Sequence, residues 1–90
     1  MAHTFEELTE KQRAADQAHR MVEELREQYG PQTQVGGWSA TQTQTYDTAL
    51  RAWRDLARDA RTALTEYAKE QGASLGGVEA EVAEAVRKAE

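Results

Sequence analysis

The side chains best suited to chemistry in this sequence are two histidines, His3 and His19, and several neighbouring carboxylates. Asp16-x-x-His19 has the spacing of a helical metal-ligand pair, since residues three apart share a helix face. A carboxylate-bridged di-metal centre needs two such motifs and two further inward glutamates. Only one motif is present, and neither member falls on the apolar stripe of its helix. It reads as a solvated surface pair, and no metal is expected. His3 lies before the first helical pattern and reads as solvated too. Glu6-Glu7 and Glu23-Glu24 could serve acid–base chemistry only in a pocket that raises one carboxyl pKa. Their positions in polar helix turns offer no such pocket. His-Glu-x-x-His, Gly-x-x-x-x-Gly-Lys and Gly-x-Ser-x-Gly are all missing. Gly36-Gly37 and Gly76-Gly77 read as turns rather than phosphate cradles. No cofactor is expected, and the chain reads as a non-enzyme.

Basic chemistry is concentrated in one row, Arg51, Arg54, Arg58 and Arg61, on one flank of a helical segment. Such a row is a candidate nucleic-acid surface. The charge around it argues otherwise. The segment 46–71 holds five acids and five bases, and the whole chain carries 16 acids against 11 bases, a net −5. Asp47 stands four residues before Arg51, and Glu6, Glu10, Glu23 and Glu27 are available for pairing across helices. The row therefore reads as a structural or protein-interface flank whose stems also cover apolar surface.

The elements that position these residues are helical. Thr4-Phe5-Glu6-Glu7 fits a capping box, and Gly30-Pro31 supplies a stop, so a first helix is expected over about 5–29. Leu8, Ala15, Ala18, Val22, Leu25 and Tyr29 form its apolar face, with Ala14 and Met21 widening it. Residues 30–45 carry no charge, which marks a break, with a turn over 30–39. Tyr46, Ala49, Trp53, Leu56, Ala60, Ala63 and Tyr67 then step by threes and fours, with Leu50, Ala57 and Leu64 beside them. A second helix is expected over about 40–71, opened by Ser39-Ala40-Thr41-Gln42 and closed by Gly72. The alternating threonines of 41–45 speak against helix in its first turn. Ser74 caps a third helix over about 75–89, with Leu75, Val78, Val82, Ala85 and Ala89 in line and Val86 beside them.

Ninety residues make one domain with a thin core. The absence of cysteine excludes disulfides and thiolate metal sites. No apolar run is long enough to span a membrane. The first residues lack the basic and apolar regions of a signal peptide, which predicts a cytoplasmic protein. The expected fold is all-α: a long antiparallel helical hairpin plus a shorter C-terminal third helix, assembled as a dimer. Antiparallel pairing matches residues whose numbers add to about 75. Alanines then meet mid-hairpin, and large side chains gather at both ends. Helix 3 covers the end holding Phe5, Leu8, Leu64 and Tyr67. The other end holds Met21, Val22, Leu25, Tyr29, Tyr46, Leu50 and Trp53, and helix 3 is too short to reach it. Either the loop bearing Val35 and Trp38 folds over that end, or a second chain does. The expected partner interface is Trp38, Tyr46, Leu50, Trp53, Met21, Leu25 and Tyr29, with Arg51, Arg54, Arg58 and Arg61 contributing.

Two resemblances add to this reading. TFEELTEKQRAADQAH and RAWRDLARDARTALTEYAKEQG resemble short helical proteins of actinobacteria and their phages. That resemblance implies the helical fold and no activity. It agrees with eight Arg against three Lys and no Ile or Asn, the usage of a GC-rich genome. In size, hairpin and turn tryptophan the chain is also similar to the WXG100 family of small secreted hairpins. Trp38-Ser39-Ala40 departs from its Trp-x-Gly, and Gln71 stands where its Tyr-x-x-x-Asp/Glu motif needs an acid after Tyr67. The expected function is a non-enzymatic protein-interaction or oligomerisation module using the Trp53/Tyr46/Leu50 end. The alternatives are an acidic inhibitor or adaptor from a mobile element, presenting Glu23, Glu24 and Glu27 to a nucleic-acid-handling protein, and a WXG100-like secreted hairpin. Nucleic acid and membrane are not expected partners.

Overall fold

The computed structural model describes residues 3–31 and 36–89. Among them are three α-helices and no strands: α1 (Phe5–Tyr29), α2 (Ala40–Gln71) and α3 (Leu75–Ala89). These bounds coincide with the boundaries expected from the caps. Val35, assigned to the covering loop, lies outside the described residues.

The caps explain the boundaries. Thr4 Oγ1 accepts the Glu7 amide at 3.1 Å. The other half of the expected box is replaced, because the Glu7 carboxylate faces the His3 ring, Oε2 to Nδ1 at 3.4 Å. Gly30, at φ 72°, ends α1 by donating its N–H to the Arg26 carbonyl. At α2 the box is complete. Ser39 Oγ accepts the Gln42 amide at 3.1 Å, and Gln42 Oε1 accepts the Ser39 amide at 2.9 Å. Two otherwise unsatisfied donors are thereby met, which holds 40–45 in the helix against the threonine pattern. Thr41, Thr43 and Thr45 are all exposed, so their alternation had no sheet face to serve. Gly72 closes α2 in the left-handed region, and Ala73 N–H reaches the Ala68 carbonyl at 2.9 Å. Ser74 Oγ accepts the Gly77 amide at 3.1 Å to start α3. A Cβ on Gly77 would stand 2.9 Å from that hydroxyl, so the glycine that lowers helix propensity also leaves room for the cap.

Contacts with α2 pair His3, just ahead of α1, with Glu66, and within α1 pair Phe5 with Tyr67, Lys11 with Asp59, His19 with Trp53 and Arg26 with Tyr46. Residue numbers rise along one helix as they fall along the other, with totals a few below the expected one. Mid-pair, Ala15, Ala60 and Ala63 are each 2% exposed, so the axes approach closely. The main core lies at one end. There Leu8, Leu64 and Ala68 meet Val78, Val82 and Val86, with Phe5, Tyr67 and Leu75 packed around them. Within α3, Ala85 is half-buried and Ala89 exposed, because the buried row follows the i,i+4 line of the three valines. The molecule is 53 Å long, whereas α3's fifteen residues span about 22 Å.

Leu8 is 1% exposed and touches the α3 core, so its truncation leaves a cavity between all three helices. Leu8→Ala is expected to lower unfolding free energy by about 2–5 kcal/mol in urea titrations followed by circular dichroism. A loss under about 1 kcal/mol would mean that α3 does not pack there.

Candidate functional site

The far end from α3 is organised by Trp38. Its indole Nε1 donates to the Gly30 carbonyl at 2.8 Å. Its ring meets Tyr29 edge-on at 5.4 Å and Tyr46 at 5.0 Å. Tyr46 in turn accepts a hydrogen bond from Arg26 Nη2 at 2.9 Å. Trp38, one of the two loop residues expected to cover this end, packs against it. Tyr29, Trp38, Tyr46, Leu50 and Trp53 are all half-buried. Trp53 stacks on His19 with centroids 4.6 Å apart, and His19 Nε2 lies 3.4 Å from Glu23.

The arginine row takes partners other than those expected. Arg51, Arg54, Arg58 and Arg61 are exposed, on the opposite side of α2 from Ala60 and Ala63. The partners found for the row lie on α2 and α3 rather than on α1. Arg58 pairs with Asp55 on its own helix at 3.3 Å, and Arg61 pairs with Glu79 of α3 at 3.1 Å. An open cleft below Arg61 is lined by Gln12, Asp16, Ala57, Val86 and Arg87 among others. Its charged groups are already engaged, Asp16 by Gln12 and Arg87 by Glu84.

The exposed apolar surface lies elsewhere. Met21 is 52% and Leu56 38% exposed. On α1, Lys11, Ala14, Ala18, Met21 and Leu25 follow one another at steps of three and four, and so share a face. On α2, Ala49, Ala52, Leu56 and Asp59 do the same. A shallow groove lined by Met21, Leu25, Thr45, Thr48, Ala49 and Ala52 joins the two lines near the tip. Lys11 Nζ and Asp59 Oδ2, 2.7 Å apart, close the strip at its other end. Between these limits the two lines carry no charge. Met21 and Leu25 were among the residues expected at an interface. Ala49 and Leu56 had been assigned to the core stripe, and Ala52 to neither the stripe nor the interface. The available signal was its width: the α2 stripe with its flanking residues is broader than one neighbouring helix covers.

Among the described residues no group of three His, Asp or Glu is placed to hold a metal ion. His3, Glu7 and Glu66 come nearest, but the carboxylates bind opposite nitrogens of one imidazole and so face away from each other. No family model, curated protein or solved structure matches the chain. No helix among the described residues is long and apolar enough to cross a membrane.

The His3 contact does have a pH signature. Glu66, at 2.8 Å from Nε2, and then Glu7 hold the imidazolium, which raises the His3 pKa above 6.5. A raised folded-state value stabilises the fold below the unfolded pKa, and that contribution disappears as pH rises through the folded value. The urea midpoint is therefore expected to fall as pH increases from about 6 to about 8. His3→Gln should flatten this slope. Superimposable slopes for both proteins would show that the clasp does not form.

Proposed function

We propose that this protein is a non-enzymatic helical protein-interaction module, built on an antiparallel α1–α2 hairpin that α3 braces at one end. Its working surface is the uncharged strip of Ala14, Ala18, Met21 and Leu25 on α1 with Ala49, Ala52 and Leu56 on α2. The observation that carries this reading is the 52% exposure of Met21 beside a groove lined by leucine, alanine and threonine. Contiguous exposed apolar surface of this kind marks interaction sites in small soluble proteins. Methionine favours the same use, because its unbranched side chain adapts to an incoming surface.

The aromatic tip has a supporting role. Trp38 contacts both Tyr29 and Tyr46, and Trp53 contacts His19, so their apolar area is largely engaged within the chain. They hold α1 and α2 at the separation that presents the strip. The occupant that suits an uncharged surface lined with small residues is an apolar helical face.

A photo-reactive residue in place of Met21 tests this in cells, with the same residue in place of exposed Arg58 as the reference. Position 21 is expected to give a discrete protein adduct that Ala52→Glu abolishes, and position 58 none. No adduct at 21, or equal adducts at both positions, would overturn the reading.

A further inference from the structure

The arrangement of large and small residues on the strip points to its occupant. We infer that the strip is an isologous contact for a second copy of this chain, related by a two-fold axis running along the strip between α1 and α2. This inference rests on the interaction reading above and names the partner.

The contacts between the helices set matching levels along the pair. Lys11 lies level with Asp59, His19 with Trp53 and Arg26 with Tyr46. Met21 and Leu25 lie level with Ala49 and Ala52, with which they line one groove. Leu56 falls between the first two levels, alongside Ala14 and Ala18. Each large side chain thus has small ones beside it on the other helix. A half-turn about the long axis lays α1 of one copy over α2 of the other and preserves the levels. Met21 of each copy then stands over Ala49 and Ala52 of the other. Leu56 of each stands over Ala14 and Ala18 of the other. One surface supplies both knobs and holes, which is the condition for an isologous contact.

The charges agree with the same operation. It brings Lys11 of one copy over Asp59 of the other, so two ion pairs become a ring of four alternating charges. One turn further along, it would bring Glu7 over Glu66, with two acids and one His3 imidazolium in each copy, and the excess of negative charge opposes that approach. The contact therefore runs from Lys11 to Leu25, about 21 Å of helix. Two helices wide, that is a footprint of about 400 Å² per copy, half the standard protein–protein value. The dimer is consequently weak and reversible.

Sedimentation equilibrium from about 10 µM to about 1 mM covers the range for so small a contact. The mass is expected to rise from that of the 10.1 kDa chain toward twice that value. Met21→Glu and Ala52→Glu should each remain monomeric throughout. Both positions are exposed in the single chain, so helical content by circular dichroism should be unchanged. A monomeric wild type at about 1 mM, or variants that associate equally well, would overturn the inference. If the wild type is monomeric yet Met21 cross-links to an unlike protein, the second copy alone is refuted. If it is monomeric and Met21 cross-links to nothing, both the second copy and the interaction reading fall.

Discussion

The contact of Val78, Val82 and Val86 with Leu8, Leu64 and Ala68 places α3 on one end and one side of the α1–α2 pair. Everything else in the molecule follows from what that contact leaves uncovered. A helix of fifteen residues covers about 22 Å of a body 53 Å long. The remaining length must be held by α1 and α2 alone, and the chain does this in two ways. Along the middle it uses alanine, which brings the two backbones close without bulky side chains that would need a third layer. At the tip it uses aromatic side chains, which bury large areas locally. Trp38 adds a hydrogen bond to the Gly30 carbonyl and so ties the turn to the end of α1.

Much of this was legible in the residues. Thr4, Ser39 and Ser74 mark helix starts, and Gly30 and Gly72 mark stops, because capping depends on side chains within three or four residues of the helix end. The valine row of α3 and the alanine spine follow from helical spacing alone. Other features depend on contacts distant in sequence. The α2 stripe shows which residues are apolar, but not which of its edges α3 will cover. That depends on how the turn at Gly72, Ala73 and Ser74 aims α3, and the outcome leaves Leu56 exposed while Leu64 is buried. The arginine row was equally ambiguous. The acids of α1 looked available as partners in a linear count, yet in three dimensions Arg58 pairs with Asp55 of α2 and Arg61 with Glu79 of α3.

Polar residues divide between the faces in a consistent way. Exposed charge flanks the helices, where pairs such as Arg58–Asp55 contribute little to stability because water screens them. The strip between Lys11 and Leu25 excludes charge even though its residues are partly or fully exposed. Packing within one chain accounts for it at half-buried Ala14, Ala18, Leu25 and Ala49, but not at exposed Met21, Ala52 and Leu56. A single copy would tolerate glutamate or lysine at Met21 or Ala52, both exposed, and would lose an exposed apolar patch in the exchange.

On the proposed reading, the composition of the strip also limits how strongly it would bind. Exposed alanine presents little apolar area, and methionine retains side-chain freedom in water that it loses on ordering. Both features reduce the penalty of leaving the surface open and the gain from closing it. A strip of leucine and isoleucine would hold a partner far more tightly and would promote non-specific association of the free chain. The alanine–methionine pattern instead suits a surface that is filled and vacated reversibly. In such a contact, fit between large and small residues governs which partner is accepted, and concentration governs how often the surface is occupied.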